Sequence, residues 1–512
     1  MGKSKQLFIN LGASIVVFLV QFVISFWLSP FVVERLGEEA YGFITLANNF
    51  TQYATLIAVS INSMANRYIS LAYNSGDKEK ANQYYTSVFW MNIILSAVVF
   101  MVAAVLVWQI ENLINVNAAL LRDVKLTFAL SFVNLIISFL STCFTASTFV
   151  TNRMDLHAYT QIASNVTRMF VILGTFLLLA PKIYFVTLAG VISSMLAFVC
   201  YVIFRRKLLP GFQLSRRFFS IKKIWELAKS GVWLLVSDIS SMFLNGMDLL
   251  VANLFVSQSA MGRLSISKTI PIAVGGLLGF LSNTFAALFT EILARNDMDG
   301  LLKEVKFTLK VLGVALAVPF AGVIVFGMDF FALWLPTNVY DSAAIQQVYI
   351  LMLLTLTNVI INAFMYSIHS LLIAFDKVRV YSIMVFICSI VSISLTLLLT
   401  TQTGLGIYAI AGTSTIVLGF MNLLVVPMYA ERVLNVQRFT LLAAILKNHG
   451  TLIVTSVLFL AVRLLVPIGS WKAFFGVCGL CGVVGYLVDF AILLNREERS
   501  RFIEKVKGKL KK

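Results

Sequence analysis

Charged residues are scarce in this sequence. Asp, Glu, Lys and Arg make up 12% of its 512 residues, whereas 59% are hydrophobic, and the mean hydropathy is +0.91. An ordinary soluble protein carries about 25% charged residues, because its surface faces water. The scarcity excludes a soluble enzyme, a disordered chain and a disulfide-rich secreted module. It indicates that lipid surrounds most of the chain.

Cysteine and histidine are also scarce, with five and three residues in the chain. The cysteines are scattered through apolar stretches, which argues against a disulfide framework or a zinc site. The sequence contains no Gly-x-x-x-x-Gly-Lys-Ser/Thr phosphate loop, so such a motif cannot supply energy by nucleotide hydrolysis. We therefore expect no metal, no cofactor and no catalytic residues.

Long apolar stretches occupy most of the chain. A helix that crosses about 30 Å of hydrocarbon needs about 20 apolar residues. Cutting the sequence at charges, Pro and Gly leaves fourteen candidates, near 8–33, 42–66, 86–110, 125–149, 158–180, 183–204, 230–256, 262–289, 308–335, 346–374, 380–401, 405–430, 449–468 and 471–494. The sequence predicts an all-α integral membrane protein with about fourteen transmembrane helices.

The basic residues indicate the orientation of these helices. The chain has 40 Lys and Arg against 23 Asp and Glu, a net charge of +17. If the N-terminus is cytoplasmic, 31 of the 40 fall on the cytoplasmic side and 8 on the outer side. This bias is typical of membrane topology. It predicts that both termini are cytoplasmic, and it gives no reason to expect a nucleic-acid partner.

Charged interruptions divide the predicted helices into two lobes and an appendix. The segments are an N-lobe at 1–204, a basic linker at 205–229, a C-lobe at 230–430, a second linker at 431–448, two helices at 449–494 and a basic tail at 495–512. Weak motifs repeat at an offset of 220 residues, with Tyr41-Gly42 matching Met261-Gly262 and Gly76-Asp77 matching Asn296-Asp297. Because six helices separate the copies, we expect two six-helix lobes related by a pseudo-two-fold axis along the membrane normal.

The opening motifs also indicate a family. Pro30, Leu36-Gly37, Tyr41-Gly42 and the polar helix that ends at Gly76-Asp77 resemble the opening of the Wzx-like polysaccharide or O-antigen subunit flippases of the MOP (MATE-like) superfamily. The resemblance implies two lobes around a V-shaped cavity in the bacterial inner membrane. It also implies that an undecaprenyl-diphosphate-linked oligosaccharide is flipped by alternating access for cell-surface polysaccharide, such as capsule. The partners would be this lipid-linked oligosaccharide, membrane lipids, a polysaccharide polymerase and glycosyltransferases, with a proton or sodium gradient as the candidate driving force.

Polar residues inside the predicted spans are the candidate site. A charge at mid-membrane costs at least about 2.5–3.5 kcal/mol, so each one needs a reason. The expected cavity residues are the cations Lys268, Arg168, Arg263 and Arg67, the acids Asp248 and Asp238, and the amides Asn48, Asn49, Gln52 and Gln21. The cations would attract a diphosphate or acidic sugars, the acids would hold the cations or exchange protons, and the amides would hydrogen-bond sugar hydroxyls.

Each assignment has a structural alternative. Asp248 and Lys268 both fall about 12–14 Å below the outer boundary and could form an internal ion pair. The amides could link helices. Arg67 could be a topological charge at a helix end, and Asp238 and Arg263 could reach water or headgroups. Asp489, in the last span, is expected to reach water at the inner boundary.

Other functions remain as alternatives. A lipid II flippase would carry arginines in the first span, and 8–33 contains none. A cation-coupled multidrug antiporter would carry acids in the N-lobe spans, whose cores contain none. An integral-membrane glycan polymerase, the enzyme alternative, needs carboxylates on a sizeable outer loop, and the outer loops here are short.

Overall fold

The computed structural model describes residues 3–276, 297–375 and 377–493, together with the single positions 278, 289, 292, 293 and 295. Most of the predicted eighth span beyond 276, and the predicted tail at 495–512, lie outside the described residues. Within the described residues the regular structure is helical and no β-strand occurs.

The helices follow the predicted spans in order. We number them α1 (Lys3–Leu36), α2 (Glu38–Asn74), α3 (Lys78–Trp108), α4 (Leu121–Val150), α5 (Met154–Leu178), α6 (Ile183–Leu208), α7 (Ile221–Phe255), α8 (Gln258–Ser267, resuming over 269–276), α9 (Met298–Trp334), α10 (Ser342–Ala374), α11 (Val378–Gln402), α12 (Ile407–Leu434), α13 (Thr440–Leu465) and α14 (Trp471–Leu493). Two of them contain a π-helical turn, at Met242–Gly246 in α7 and at Met421–Val425 in α12.

Twelve helices in the described part of the chain are long and apolar enough to cross a membrane. The remaining two are α2, which is rich in amides, and α8, part of which lies outside the described residues. The prediction of an all-α integral membrane protein is confirmed. Several helices extend beyond the predicted bounds: α9 begins at Met298 rather than near 308, α7 begins at Ile221 rather than near 230, and α6 continues to Leu208. Basic residues at a helix end extend into water without breaking the helix, so cutting at charges shortens the predicted spans.

The chain divides into two compact units, at 1–266 and 267–512. In unit 1, α2 packs against α3, α4 and α7, while α6 packs against α4 and α5. We call the end of unit 1 that contains the segment 209–220 the linker end. There the ends of α2, α4 and α6 meet the starts of α3 and α7 in one buried apolar cluster. We call the opposite end, with the connection 109–120, the loop end.

Matching residues of the sequence repeat meet one another in unit 1. A Cβ on Gly42 would lie 3.0 Å from the Cα of Gly262, and the Ser265 hydroxyl donates to Thr45 Oγ1 over 2.7 Å. Each pair is 220 residues apart, which is the offset of the sequence repeat. The close approach at Gly42 and Gly262 explains why both copies carry glycine there.

The second repeat motif has the same local role in each unit. Asp77 Oδ1 accepts the Lys80 backbone N–H over 2.9 Å and caps the start of α3. Asp297 Oδ1 accepts the Gly300 backbone N–H over 2.8 Å and caps the start of α9. An N-terminal Asp cap satisfies an otherwise unpaired helix N–H. The repeat therefore encodes helix starts as well as helix contacts.

In unit 2, α9 packs against α10, α13 and α14, and α12 packs against α10 and α11. Side chains on α13 fasten it at both ends. Asn448 Nδ2 donates to the Leu309 carbonyl over 2.8 Å, and Arg463 Nε lies 2.7 Å from Asp329 Oδ2. The two C-terminal helices are thereby joined to the rest of unit 2.

Candidate functional site

A polar cavity of about 400 Å³ lies inside unit 1, bounded by α2, α4, α5 and α6. Most of its walls are amide and hydroxyl side chains. The lining residues are Ile44, Asn48, Ser131, Asn134, Ser138, Ser141, Thr142, Thr145, His157, Gln161, Ser164, Asn165, Arg168, Val186, Thr187, Gly190, Ser193, Ser194, Ala197 and Tyr201. Burying this many polar groups within a membrane is costly unless they serve a ligand or water.

Several of the lining hydroxyl groups donate hydrogen bonds to backbone carbonyls of their own helices. Ser141 and Thr145 of α4 donate to the carbonyls of Ile137 and Thr142, each over 2.8 Å. Ser193 of α6 donates to a carbonyl one turn earlier in the same way. A hydroxyl held like this still offers oxygen lone pairs to the cavity. These walls therefore suit a hydroxyl-rich ligand that can donate as well as accept.

Three buried polar atoms on the cavity wall lack a hydrogen-bond partner among the described residues. They are the Arg168 Nε, the Asn134 Oδ1 and the Ser131 Oγ. Unsatisfied buried polar atoms are costly, and a guanidinium is costlier than an amide. No acidic side chain lines the cavity in the described part of the chain. Arg168 is thus a cation without a neutralising carboxylate on the same wall, which is the electrostatic setting of an anion site.

Part of the same cavity wall is a polar cluster on α5 and α6 that is not among the residues predicted from the sequence. The Tyr201 hydroxyl lies 2.9 Å from His157 Nδ1 and accepts from Gln161 Nε2 over 3.2 Å. The His157 and Tyr201 rings stack with centroids 5.6 Å apart. The sequence spacing could have indicated this cluster, because His157, Gln161 and Arg168 are spaced so that they share one face of α5.

The structure places the expected amides differently. Asn48 lines the cavity together with Arg168. Asn49 instead donates to the Gly246 carbonyl over 2.9 Å, and the Tyr53 hydroxyl bonds to the same oxygen. This carbonyl belongs to the π-helical turn of α7, so Asn49 makes the interhelical bond given above as its alternative. Gln52 and Gln21 are exposed on their helices.

The expected charges are also divided among several places. Arg263 Nε pairs with Glu38 Oε2 over 3.2 Å at the loop end, where Ser259 also bonds to Glu38. Arg67 and Asp238 are exposed. Their roles stay predictions.

Asp248 is buried in unit 1 and Lys268 in unit 2, and both engage other groups. Their predicted pairing stays a prediction.

One acid departs from its expected environment. Asp489 of α14 is 0% exposed and accepts a hydrogen bond of 2.6 Å from the Thr455 hydroxyl of α13. The expectation that it reaches water is wrong, because α13 covers it. Distance from a span end measured along the sequence does not show which neighbour packs over a side chain.

Solved structures with a similar fold are membrane transporters. The lipid II flippase MurJ in an inward closed conformation aligns with a TM-score of 0.66 and 15% identity, over 94% of this chain and 98% of that one. An inward-facing multidrug resistance MATE family transporter of the MOP superfamily aligns with a TM-score of 0.65 and 11% identity, over 82% of this chain and 94% of that one. The chain therefore has the fold of these membrane transporters.

Sequence comparison narrows the class to a family. The model of the family "Polysaccharide biosynthesis protein" matches residues 5–289, more than half of the chain, and the protein belongs to this family. The uncharacterized membrane protein EpsK of Bacillus subtilis (strain 168) is 27% identical over 497 residues, covering 97% of each chain. The expected resemblance is confirmed at the level of the polysaccharide biosynthesis family and of the fold shared with MurJ and the MATE transporter.

Proposed function

We propose that this protein flips an undecaprenyl-diphosphate-linked oligosaccharide from the inner to the outer leaflet by alternating access, during synthesis of a cell-surface polysaccharide such as capsule or O-antigen. The observation that carries the proposal is the cavity of unit 1, with its amide and hydroxyl walls and the unsatisfied Arg168 Nε. Membership of the polysaccharide biosynthesis family supports the same class of substrate.

Two kinds of cavity residue suit two chemical parts of the substrate. Sugar hydroxyls both donate and accept, so they suit Asn48, Gln161 and the serines that line the walls. A phosphate or an acidic sugar suits Arg168, because a guanidinium binds oxyanions through two parallel N–H donors. A volume of about 400 Å³ lies within the range of ordinary ligand pockets. We therefore assign the head of the lipid-linked unit to this cavity and leave its lipid tail outside.

In this proposal the linker end of unit 1 faces the cytoplasm, following the excess of basic residues there. Glycosyltransferases would deliver the substrate on that side, and a polymerase would receive it on the other. The protein makes and breaks no covalent bond, so a proton or sodium gradient would supply the driving force.

The test is substitution of Arg168 in a bacterial strain whose own flippase is deleted. We expect Arg168→Ala to lower surface polysaccharide at least tenfold, a loss equivalent to about 1.4 kcal/mol or more. Arg168→Lys should keep part of the activity, because it retains charge but loses the two-pronged geometry. The matched control is Arg122→Ala, which removes an exposed arginine at the loop end of unit 1. Normal export by Arg168→Ala at normal expression would contradict the proposal.

The location of the accumulated intermediate separates a flippase from a polymerase. Loss of a flippase leaves lipid-linked units accessible only from the cytoplasm. Loss of a polymerase leaves single units on the outer surface. Periplasmic glycosidase treatment of spheroplasts distinguishes the two, and units cleaved in the Arg168→Ala strain would favour the polymerase.

A further inference from the structure

The connection between α6 and α7 is fastened to the linker end of unit 1 by polar contacts. The Gln213 backbone donates to Asn82 Oδ1 over 3.1 Å and accepts from the Thr86 hydroxyl over 2.9 Å. The Ser220 backbone N–H donates to Ser87 Oγ over 2.9 Å. A loose tether would make no such contacts. The connection therefore has a fixed face toward the protein and a fixed face away from it.

The inner face is apolar. Leu209, Phe212, Ile224 and Leu227 are buried in the cluster formed with α2, α3 and α4. Arg205 bonds across the connection to the Phe212 carbonyl. Burial of four large side chains holds the segment far more firmly than its hydrogen bonds alone.

The outer face combines exposed apolar side chains with cations, and we call it the basic strap. Its apolar members are Phe219, Ile221 and Trp225, with 39%, 69% and 71% of their surfaces exposed. Its exposed basic members are Arg206, Lys207, Arg216, Arg217, Lys222 and Lys229. Among the described residues these six form no ion pair.

The single acid in the segment is already engaged. Glu226 accepts from the Tyr84 hydroxyl over 2.5 Å and pairs with Lys223 over 3.1 Å. No other Asp or Glu occurs between 205 and 229. Arg216 lies over the Trp90 ring, 5.1 Å from its centroid, but no further carboxylate of the segment neutralises the basic strap, so its net positive charge favours an anionic external partner.

We propose that the basic strap binds anionic phospholipid headgroups of the adjacent leaflet. Helix α7 is a candidate span that begins at Ile221, so this face lies where the chain enters the membrane. Exposed Trp side chains prefer the headgroup level, and clusters of four to eight juxtamembrane Lys and Arg bind anionic lipid. An acidic soluble protein would complement the charge but not the exposed Ile221 and Trp225. The lipid surface satisfies both.

Binding at this place would fix the entry of α7 into the membrane. Gln213 and Ser220 hold the connection on one side, and the lipid would hold Trp225 and Lys229 on the other. Lipid binding by the basic strap does not depend on the transported substrate and can be measured without a transport assay.

The experiment uses the full-length protein in nanodiscs of equal parts phosphatidylcholine and phosphatidylglycerol. One of the two lipids carries bromine on its acyl chains, which quenches nearby tryptophan fluorescence. The difference between the wild type and Trp225→Phe isolates the signal of Trp225. We expect brominated phosphatidylglycerol to quench this signal roughly threefold more than brominated phosphatidylcholine, because of local enrichment. High salt should reduce the preference in the unmodified protein.

The charge dependence is tested with Arg216→Gln, Arg217→Gln, Lys222→Gln and Lys229→Gln in one chain, which should abolish the preference. The matched control is Lys78→Gln with Lys80→Gln, two exposed lysines at the same end that are flanked by Asp77 and Glu79. If the fourfold variant fails to fold, Arg217→Gln alone and the salt titration carry the test. Equal quenching by both lipids, an unchanged preference in the charge variants, or no quenching of Trp225 would overturn the proposal.

Discussion

At the linker end of unit 1, α2 and α7 are joined through apolar packing, in which Leu227 and Ile69 are both 0% exposed. At the loop end, α2 meets α8 through an ion pair, hydroxyl contacts and the approach of Gly42 to Gly262. The loop 109–120 is fastened to α7 there by amides, with the Asn115 backbone N–H donating to Asn253 Oδ1 over 2.8 Å. Both ends bury apolar side chains, since Phe43 and Met261 at the loop end are also 0% exposed, but an ion pair and amide bonds make up more of the contact at the loop end.

This difference has a consequence for motion. Burying a large apolar side chain contributes about 1.5–3 kcal/mol, and water offers no replacement when the contact opens. A hydrogen bond contributes about 0.5–1.5 kcal/mol net, because water takes the place of a lost partner. We therefore expect the ion pair and amide bonds of the loop end to be replaced by water at lower cost than the apolar contacts of either end. Alternating access requires one such end to open and close repeatedly.

The largest expected effect is at the linker end. Leu227→Ala should lower the free energy of unfolding by about 2–5 kcal/mol, because it leaves a cavity in the apolar cluster. Chemical or thermal unfolding in detergent measures the loss. The control is Leu234→Ala on the same helix, where the side chain is 42% exposed. A smaller loss for Leu227→Ala than for Leu234→Ala would show that the apolar cluster does not stabilise the linker end.

An intermediate effect is expected at Gly231, also toward the linker end. A Cβ at this position would collide with the Ser60 carbonyl of α2, and overpacking of this kind costs about 1–3 kcal/mol. The control is Gly12→Ala, at a helical glycine of α1 where a Cβ meets nothing within 4 Å. Alanine there should be neutral or slightly stabilising, since it favours the helix over glycine. Equal losses at both glycines would show that the contact of α7 with α2 is not tight.

The smallest effect is expected for the ion pair at the loop end. The Glu38 and Arg263 side chains are 13% and 31% exposed, and such partly solvated pairs contribute up to about 1 kcal/mol. A double-mutant cycle with Glu38→Gln and Arg263→Gln measures their coupling, which should fall further in high salt. A salt-independent coupling of several kcal/mol would mean that the loop end is held as firmly as the linker end.

Much of the fold could be predicted, and the departures have identifiable causes. The order of the helices follows from apolar length, because a long apolar segment in hydrocarbon satisfies all of its own backbone hydrogen bonds as a helix. The predicted α7 begins nine residues after its actual start at Ile221, and the predicted α6 ends four residues before Leu208, because a charged residue does not end a helix. Asp489 was placed in water although α13 buries it.

The candidate site was anticipated in part. Arg168 and Asn48 were both expected to face a cavity, and both line the cavity of unit 1. His157 and Tyr201 were not included, because each alone looks like an ordinary residue near a helix end. They become a site only when α5 and α6 pack side by side and the hydroxyl reaches the imidazole.

Hydropathy and charge bias are properties of the chain as written, so they established the membrane class and the succession of helices without knowledge of any contact. The repeat at an offset of 220 residues likewise matches Gly42 with Gly262 from the sequence alone, and the structure shows that the two are in contact. Which polar side chains share a cavity depends on the rotation of each helix about its axis and on the neighbour it packs against. Those quantities come from packing among distant segments, and the folded arrangement decided them.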